Sequence, residues 1–148
     1  MSILRYDGKG FTLVELVVVI LLLGILAAFA IPQFFQLGDY RERAAYDEVA
    51  GAVRYAQKLA VASGCEVRVQ ISGNSYALQQ HAGGCSSGGW QVLDGHPVGQ
   101  GSFAGVDLSA TAASFRFDAL GRCSTSPTIT VGSRTFGVIG ETGYVDAQ

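Results

Sequence analysis

Charge is scarce in this chain. Only 15% of its 148 residues are Asp, Glu, Lys or Arg, and the formal net charge is -2; an ordinary soluble domain carries about 25% charged residues. Past Cys65 there is no lysine, and Arg68, Arg116, Arg122 and Arg134 stand against six acids. Binding to a phosphate backbone needs clustered Lys or Arg, so nucleic acid is not an expected partner. The three cysteines include no Cys-x-x-Cys, and His81 and His96 add no ligand cluster, which argues against a metal or thioredoxin-like site. No nucleophile motif of known mechanics is present. Gly99-Gln100-Gly101 with Gly105 has the wrong spacing for a phosphate-binding loop, and no strand-helix-strand unit follows it. Neither catalysis nor a cofactor is expected, and no internal repeat or second domain is evident.

What the chain does have is one long apolar run. From Phe11 to Ile31 the only formal charge is Glu15. A helix of that length, rising about 1.5 Å per residue, matches a hydrocarbon core of about 30 Å. Pro32 follows at once and should end or kink the helix there, because proline lacks the N-H and clashes with the preceding turn. Arg5 and Lys9 lie before the run, and basic residues flanking a span tend to remain cytoplasmic, which puts the rest of the chain on the far side.

Two readings of this N-terminus differ in where the chain is cut. A secretory signal peptide would use Ala28-Phe29-Ala30 as its cleavage site and leave a mature start at Ile31. That reading gives no reason for a glutamate near the start of the apolar core or for a glycine directly before it. Both fall into place in Gly10-Phe11-Thr12-Leu13-Val14-Glu15. This stretch, between a short charged leader and a span, resembles the signature of type IV pilins and pseudopilins. The resemblance implies cleavage between Gly10 and Phe11 by an inner-membrane prepilin peptidase, methylation of the new Phe11 amine, and a retained hydrophobic segment. It also implies a partner for Glu15, the Phe11 amine of a neighbouring subunit. A carboxyl group inside a bilayer costs about 2.5 to 3.5 kcal/mol at a central position, so its presence there points to function.

After Pro32, residues 33–64 read as an amphipathic helix. Leu37, Tyr40, Ala44, Ala45, Val49, Ala52, Val53, Ala56, Leu59 and Ala60 recur at three- and four-residue steps. Gly64 is placed to end it in a left-handed conformation. From Cys65 the period becomes two. Val67, Val69 and Ile71 alternate with polar residues, Gly73-Asn74 offers a tight turn, and Tyr76 and Leu78 continue the alternation. Further strands are expected around Trp90 to Leu93, Ala113 to Asp118, Pro127 to Val131, Arg134 to Ile139 and Gly143 to Val145, with a glycine-rich connection from Gly95 to Gly105. The fold class is α+β: a long N-terminal helix, half transmembrane and half amphipathic, packed on one small antiparallel sheet. Its divisions are a cleaved leader at 1–10, a transmembrane helix at 11–32, the amphipathic periplasmic helix at 33–64 and a periplasmic β domain at 65–148.

Folding the hairpin about Gly73-Asn74 sets Ala82 roughly opposite Cys65 and brings Cys85 within loop reach. A Cys65–Cys85 bridge is the favoured pairing, with Cys123 joined to either of the others as the alternative. A bridge of this loop length would contribute about 3 kcal/mol.

The second half narrows the resemblance. Phe115-Arg116-Phe117-Asp118-Ala119-Leu120-Gly121, Ile129-Thr130-Val131 and Gly140-Glu141-Thr142-Gly143-Tyr144-Val145 are similar to H-type minor pseudopilins and FimT-type minor pilins. That likeness implies a minor subunit that initiates or caps a type IV pilus, one of the mannose-sensitive haemagglutinin type among the candidates. It would be anchored in the bacterial inner membrane and partnered by other pilins and the assembly platform. An H-type pseudopilin of a type II secretion system is the alternative. A DNA-uptake pilin is a third, but Gly121-Arg122-Cys123-Ser124 carries only half of the Gly-Arg-x-Arg pattern such proteins show.

Overall fold

A computed structural model of the chain describes residues 10–30 and 37–147. It falls into two compact units, Met1–Gly38 and Asp39–Gln148. Pro32, where the sequence places a kink, lies outside the described residues, as do the leader residues before Gly10 and the junction between the two helices.

The first unit holds α1, Leu13–Ala30, of 18 residues. At 1.5 Å per residue it is about 27 Å long, slightly less than a hydrocarbon core of about 30 Å. Among the described residues no helix is long and apolar enough to cross a membrane. Residues 31 and 32 of the span expected over 11–32 lie outside the described residues.

The 27-residue α2, Leu37–Ser63, leads into the second unit. Seven alanines between Ala44 and Ala62 favour the helix, and Gly64 ends it with φ +66°. Its buried face is Ala45, Tyr46, Val49, Ala50, Ala52, Val53, Ala56 and Ala60. This corrects the stripe read from the sequence. Tyr40 is 74% exposed and Ala44 also faces solvent, because the covered face is turned toward Tyr46 and Ala50. Most of the buried side chains on this face are alanines, which let the helix settle close to its partners. Tyr46 meets Phe136 edge-on, with ring centroids 5.4 Å apart.

Nine strands follow: β1 Val67–Ser72, β2 Ser75–His81, β3 Trp90–Val92, β4 Gln100–Ser102, β5 Leu108–Ala110, β6 Ser114–Phe117, β7 Thr128–Val131, β8 Arg134–Val138 and β9 Val145–Asp146. They form two antiparallel sheets where one was expected. The first runs β3-β2-β1-β6 with β4 also on β2, and the second runs β5-β7-β8-β9. The division does not follow chain order: β5 joins β7 in the second sheet, β6 returns to β1 in the first, and β7 takes β5 and β8. In the β1–β2 hairpin Ser72 pairs with Ser75 and Arg68 with Gln79, a register that, continued, sets Cys65 across from Ala82.

Two strands were not foreseen. β4 lies in the glycine-rich connection, where Gly101 packs under the Tyr76 ring and Glu48 with no room for a side chain, so apolar alternation has no place there. β5 is three residues long, too short to show a period. Both sheets and α2 share one core, in which Leu78, Phe115, Phe117, Ile129, Val49 and Val53 are the largest fully buried members.

Candidate functional site

The N-terminal segment is built by a helix start. The Thr12 hydroxyl accepts a hydrogen bond from the Glu15 amide at 3.2 Å, and the Thr12 carbonyl accepts from Leu16 N at 3.2 Å. Thr12 is thus the N-cap of α1, with Glu15 three residues on, in the order of a capping box. The spacing Thr-x-x-Glu carries this signal in the sequence, and the role of Thr12 is missing from the sequence reading. A carboxylate in the first turn also suits the positive end of the helix dipole.

Gly10, Phe11 and Glu15 are all exposed, Phe11 by 72%. Among the described residues the Glu15 carboxylate takes no hydrogen bond or ion pair. A Cβ added at Gly10 would meet nothing within 4 Å, and its φ is outside the left-handed region, so this fold makes no demand for glycine there. Every described side chain of α1 is exposed, from Leu13 at 79% to Val19 at 40%. A helix apolar on all sides belongs in a large core or a membrane, and none of its described side chains is buried.

In the second unit Cys65 and Cys85 are joined by a disulfide, 20 residues apart in sequence with Cα atoms at 4.4 Å. Cys123 is free and buried, and burial pushes its thiol pKa up. Three of the four arginines past Cys65 meet carboxylates. Arg116 lies 3.3 Å from Glu66, Arg122 lies 2.8 Å from Asp118, and Arg134 lies 3.9 Å from Glu42. Arg122 and buried Cys123 therefore present no unpaired basic run at the half-matched DNA pattern. Glu42 Oε1 also accepts from Ser133 N at 2.9 Å and Ser133 Oγ at 2.6 Å. The Ser133 hydroxyl, then its amide, hold the Glu42 carboxyl below its ordinary pKa, with Arg134 adding less. Among the described residues no three His, Cys, Asp or Glu side chains gather as a metal site would need.

The first unit matches the family model "Prokaryotic N-terminal methylation motif" over residues 7–31, and "Type II transport protein GspH" matches residues 45–143. The chain belongs to the GspH family of type IV pilin-like proteins. It is 35% identical to the type IV narrow pilus major component PilA5 of Thermus thermophilus over 121 residues, covering 80% of this chain and 93% of that protein. It is 39% identical to the type IV major fimbrial protein FimA of Dichelobacter nodosus over 61 residues, covering 41% of this chain but only 31% of that protein. Two solved structures share the fold. They are the type IV minor pilin FimU of Pseudomonas aeruginosa (TM-score 0.55, 16% identity, 72% of this chain and 91% of that chain) and GspH of E. coli (TM-score 0.55, 15% identity, 72% and 87%). The relatives are pilin and pseudopilin subunits, and this chain is a subunit of the type IV pilin family. The family implies assembly with other pilins.

Proposed function

We propose that the chain is a minor subunit that initiates or caps a type IV pilus. Prepilin peptidase cuts it between Gly10 and Phe11, the Phe11 amine is methylated, and the chain resides in the inner membrane through residues 11–32 with its C-terminal unit in the periplasm. The carrying observation is α1: apolar on every side, exposed along its described side chains, with a single carboxylate, Glu15, in its first turn five residues after a glycine whose Cβ position is open. Lipid covers such a surface before assembly, and the corresponding helices of other subunits cover it afterwards. Glu15, the one charge in that surface, pairs with the amine of a neighbouring Phe11.

A second reading rests on the similarity to PilA5, a major component, across 93% of that protein; it makes this chain a repeating subunit of the filament body. Service in a type II secretion filament is the corresponding reading on the GspH side.

Two measurements test the proposal. Mass analysis of chain purified from cells with and without prepilin peptidase should give a start at Phe11 carrying one methyl group in the first case, and uncut protein in the second. A mature start at Ile31 overturns it. Immunogold labelling of sheared filaments should mark ends; labelling along the whole length moves the assignment to a major subunit.

A further inference from the structure

A row of register partners crosses the outer face of the first sheet, where Gln79 of β2, Arg68 of β1 and Arg116 of β6 stand side by side. Like charges directly opposite on neighbouring strands destabilise a sheet, and departures from local rules concentrate at functional sites. Arg116 is partly compensated by Glu66 at 3.3 Å. Arg68 is different: among the described residues it makes no ion pair. Its Nε and Nη2 both donate to the neutral Gln79 amide oxygen, and its guanidinium lies 4.5 Å over the Trp90 ring. Trp90 in turn packs against His81, with ring centroids 4.0 Å apart. Desolvation, and then the Arg116 charge, both disfavour the charged form of Arg68. The side chain is held in place, yet among the described residues no carboxylate answers its charge.

Arg68 and Arg116 line an open groove of about 450 Å³ together with Ser114, Ser124 and Thr125. We propose that this groove receives a carboxylate presented by an acidic segment of a neighbouring polypeptide, gripped between the guanidinium forks of Arg68 and Arg116. A planar fork matches a carboxylate in bidentate fashion, and the bound anion would relieve the repulsion between the two arginines. The groove continues, through Arg116, Ser124 and Thr125, into a hollow of about 500 Å³ that Glu66, Asp118 and Glu141 also line. Those acids repel a continuous polyanion, which selects a short acidic segment over a nucleic-acid strand. A sugar ring is disfavoured because Trp90 is already stacked by Arg68 and His81.

Trp90 is the only tryptophan in the chain, so its fluorescence reports directly on Arg68. The full-length chain in detergent micelles is titrated with an acetylated peptide of alternating Gly and Glu, and with its Gln counterpart. The Glu peptide should give a saturable change and the Gln peptide none. Arg68→Gln and Arg116→Gln should each weaken the midpoint at least tenfold, whereas Arg134→Gln on the second sheet should not move it. Arg116→Gln keeps the test open if Arg68→Gln does not fold. No saturable change overturns the proposal, as does an unshifted midpoint in the folded Arg68 or Arg116 variant. So does displacement of the peptide by inorganic phosphate or a single-stranded oligonucleotide at lower concentration than the peptide's own midpoint. The site does not depend on Glu15, and the N-terminus of the same preparation reports separately on processing.

Discussion

The carbonyl of Gly121 lies directly against Gly143, leaving no space for a side chain there. Gln57 of α2 locks the contact by donating from Nε2 to Gly121 O at 3.1 Å and to Thr142 O at 3.0 Å. One helix side chain thus ties the turn after β6 to the turn before β9.

Gly143 and Gly64 share a φ of +66°, but only Gly143 has a crowded Cβ position. Gly64→Ala should therefore cost about 1 kcal/mol, the left-handed strain less the gain from a stiffer unfolded chain. Gly143→Ala adds overpacking against backbone and should cost about 2 to 4 kcal/mol. Urea unfolding of both variants checks the difference, and equal losses would mean that the Gly121 contact relaxes freely.

The disulfide closes a loop between β1 and the segment after β2. Replacing Cys65 and Cys85 by serine should lower stability by about 3 kcal/mol on the chain-entropy estimate. Nonreducing peptide maps should recover the two cysteines together. Cys123 is only 8% exposed, so it should resist alkylation in the folded chain and react once denaturant is added. A Cys123-containing bridged peptide would mean that the hairpin register is different.

Acid should loosen the clamp between α2 and the β7–β8 turn. Glu42 has a folded pKa below its ordinary value, chiefly because of the Ser133 hydroxyl and amide. Its contribution is complete above the unfolded value of about 4.3 and disappears as pH falls through the lower folded value. Glu42→Gln should flatten the fall in melting temperature below about pH 4.5 while leaving the shape of the curve from pH 5 to 8 unchanged. An acid limb as steep as the parent's would assign the acid sensitivity to other carboxylates.

Much of this was legible in the sequence where a period persists. The alternation of Val67, Val69 and Ile71 with polar neighbours reports one buried face, and Gly73-Asn74 fixes the register that brings Cys65 toward Cys85. Legibility failed where elements are short or set by tertiary contact. Gly101 is in a strand because a small residue fits under Tyr76, and nothing local distinguishes it from a loop glycine. The split into two sheets depends on which strand β6 and β7 each choose, a long-range decision that no window of sequence contains. Tyr40 looked apolar enough to join the buried stripe of α2, yet its position precedes the part of the helix that is covered. At the candidate site, Gly10, Phe11 and Glu15 stand out by chemistry alone, and the Thr12-x-x-Glu15 spacing already carries the cap that the hydrogen bond from Glu15 N makes explicit.

That hydrogen bond separates two roles that share the first turn of α1. If Glu15 acted only as a helix-start residue, it and Thr12 would be comparable, since both stabilise the same turn. Thr12→Ala removes the cap and should cost the helix about 1 kcal/mol, a loss that surrounding lipid or neighbouring helices can absorb in an otherwise apolar segment. Glu15→Ala removes a dipole interaction of about 0.3 to 1 kcal/mol, and it also removes the only charge in the apolar surface. Placing alanine there is easier for the membrane than placing a carboxylate, so insertion and processing at Gly10 should survive in both variants. Assembly should not. Thr12→Ala should still copurify with partner pilins, Glu15→Ala should lose them, and Glu15→Asp should retain a part. Mature mass, membrane fractionation and pull-down of partner pilins read these outcomes side by side. If Thr12→Ala and Glu15→Ala assembled equally well, Glu15 would be a helix-start residue and its pairing with a neighbouring Phe11 amine would be refuted for this subunit.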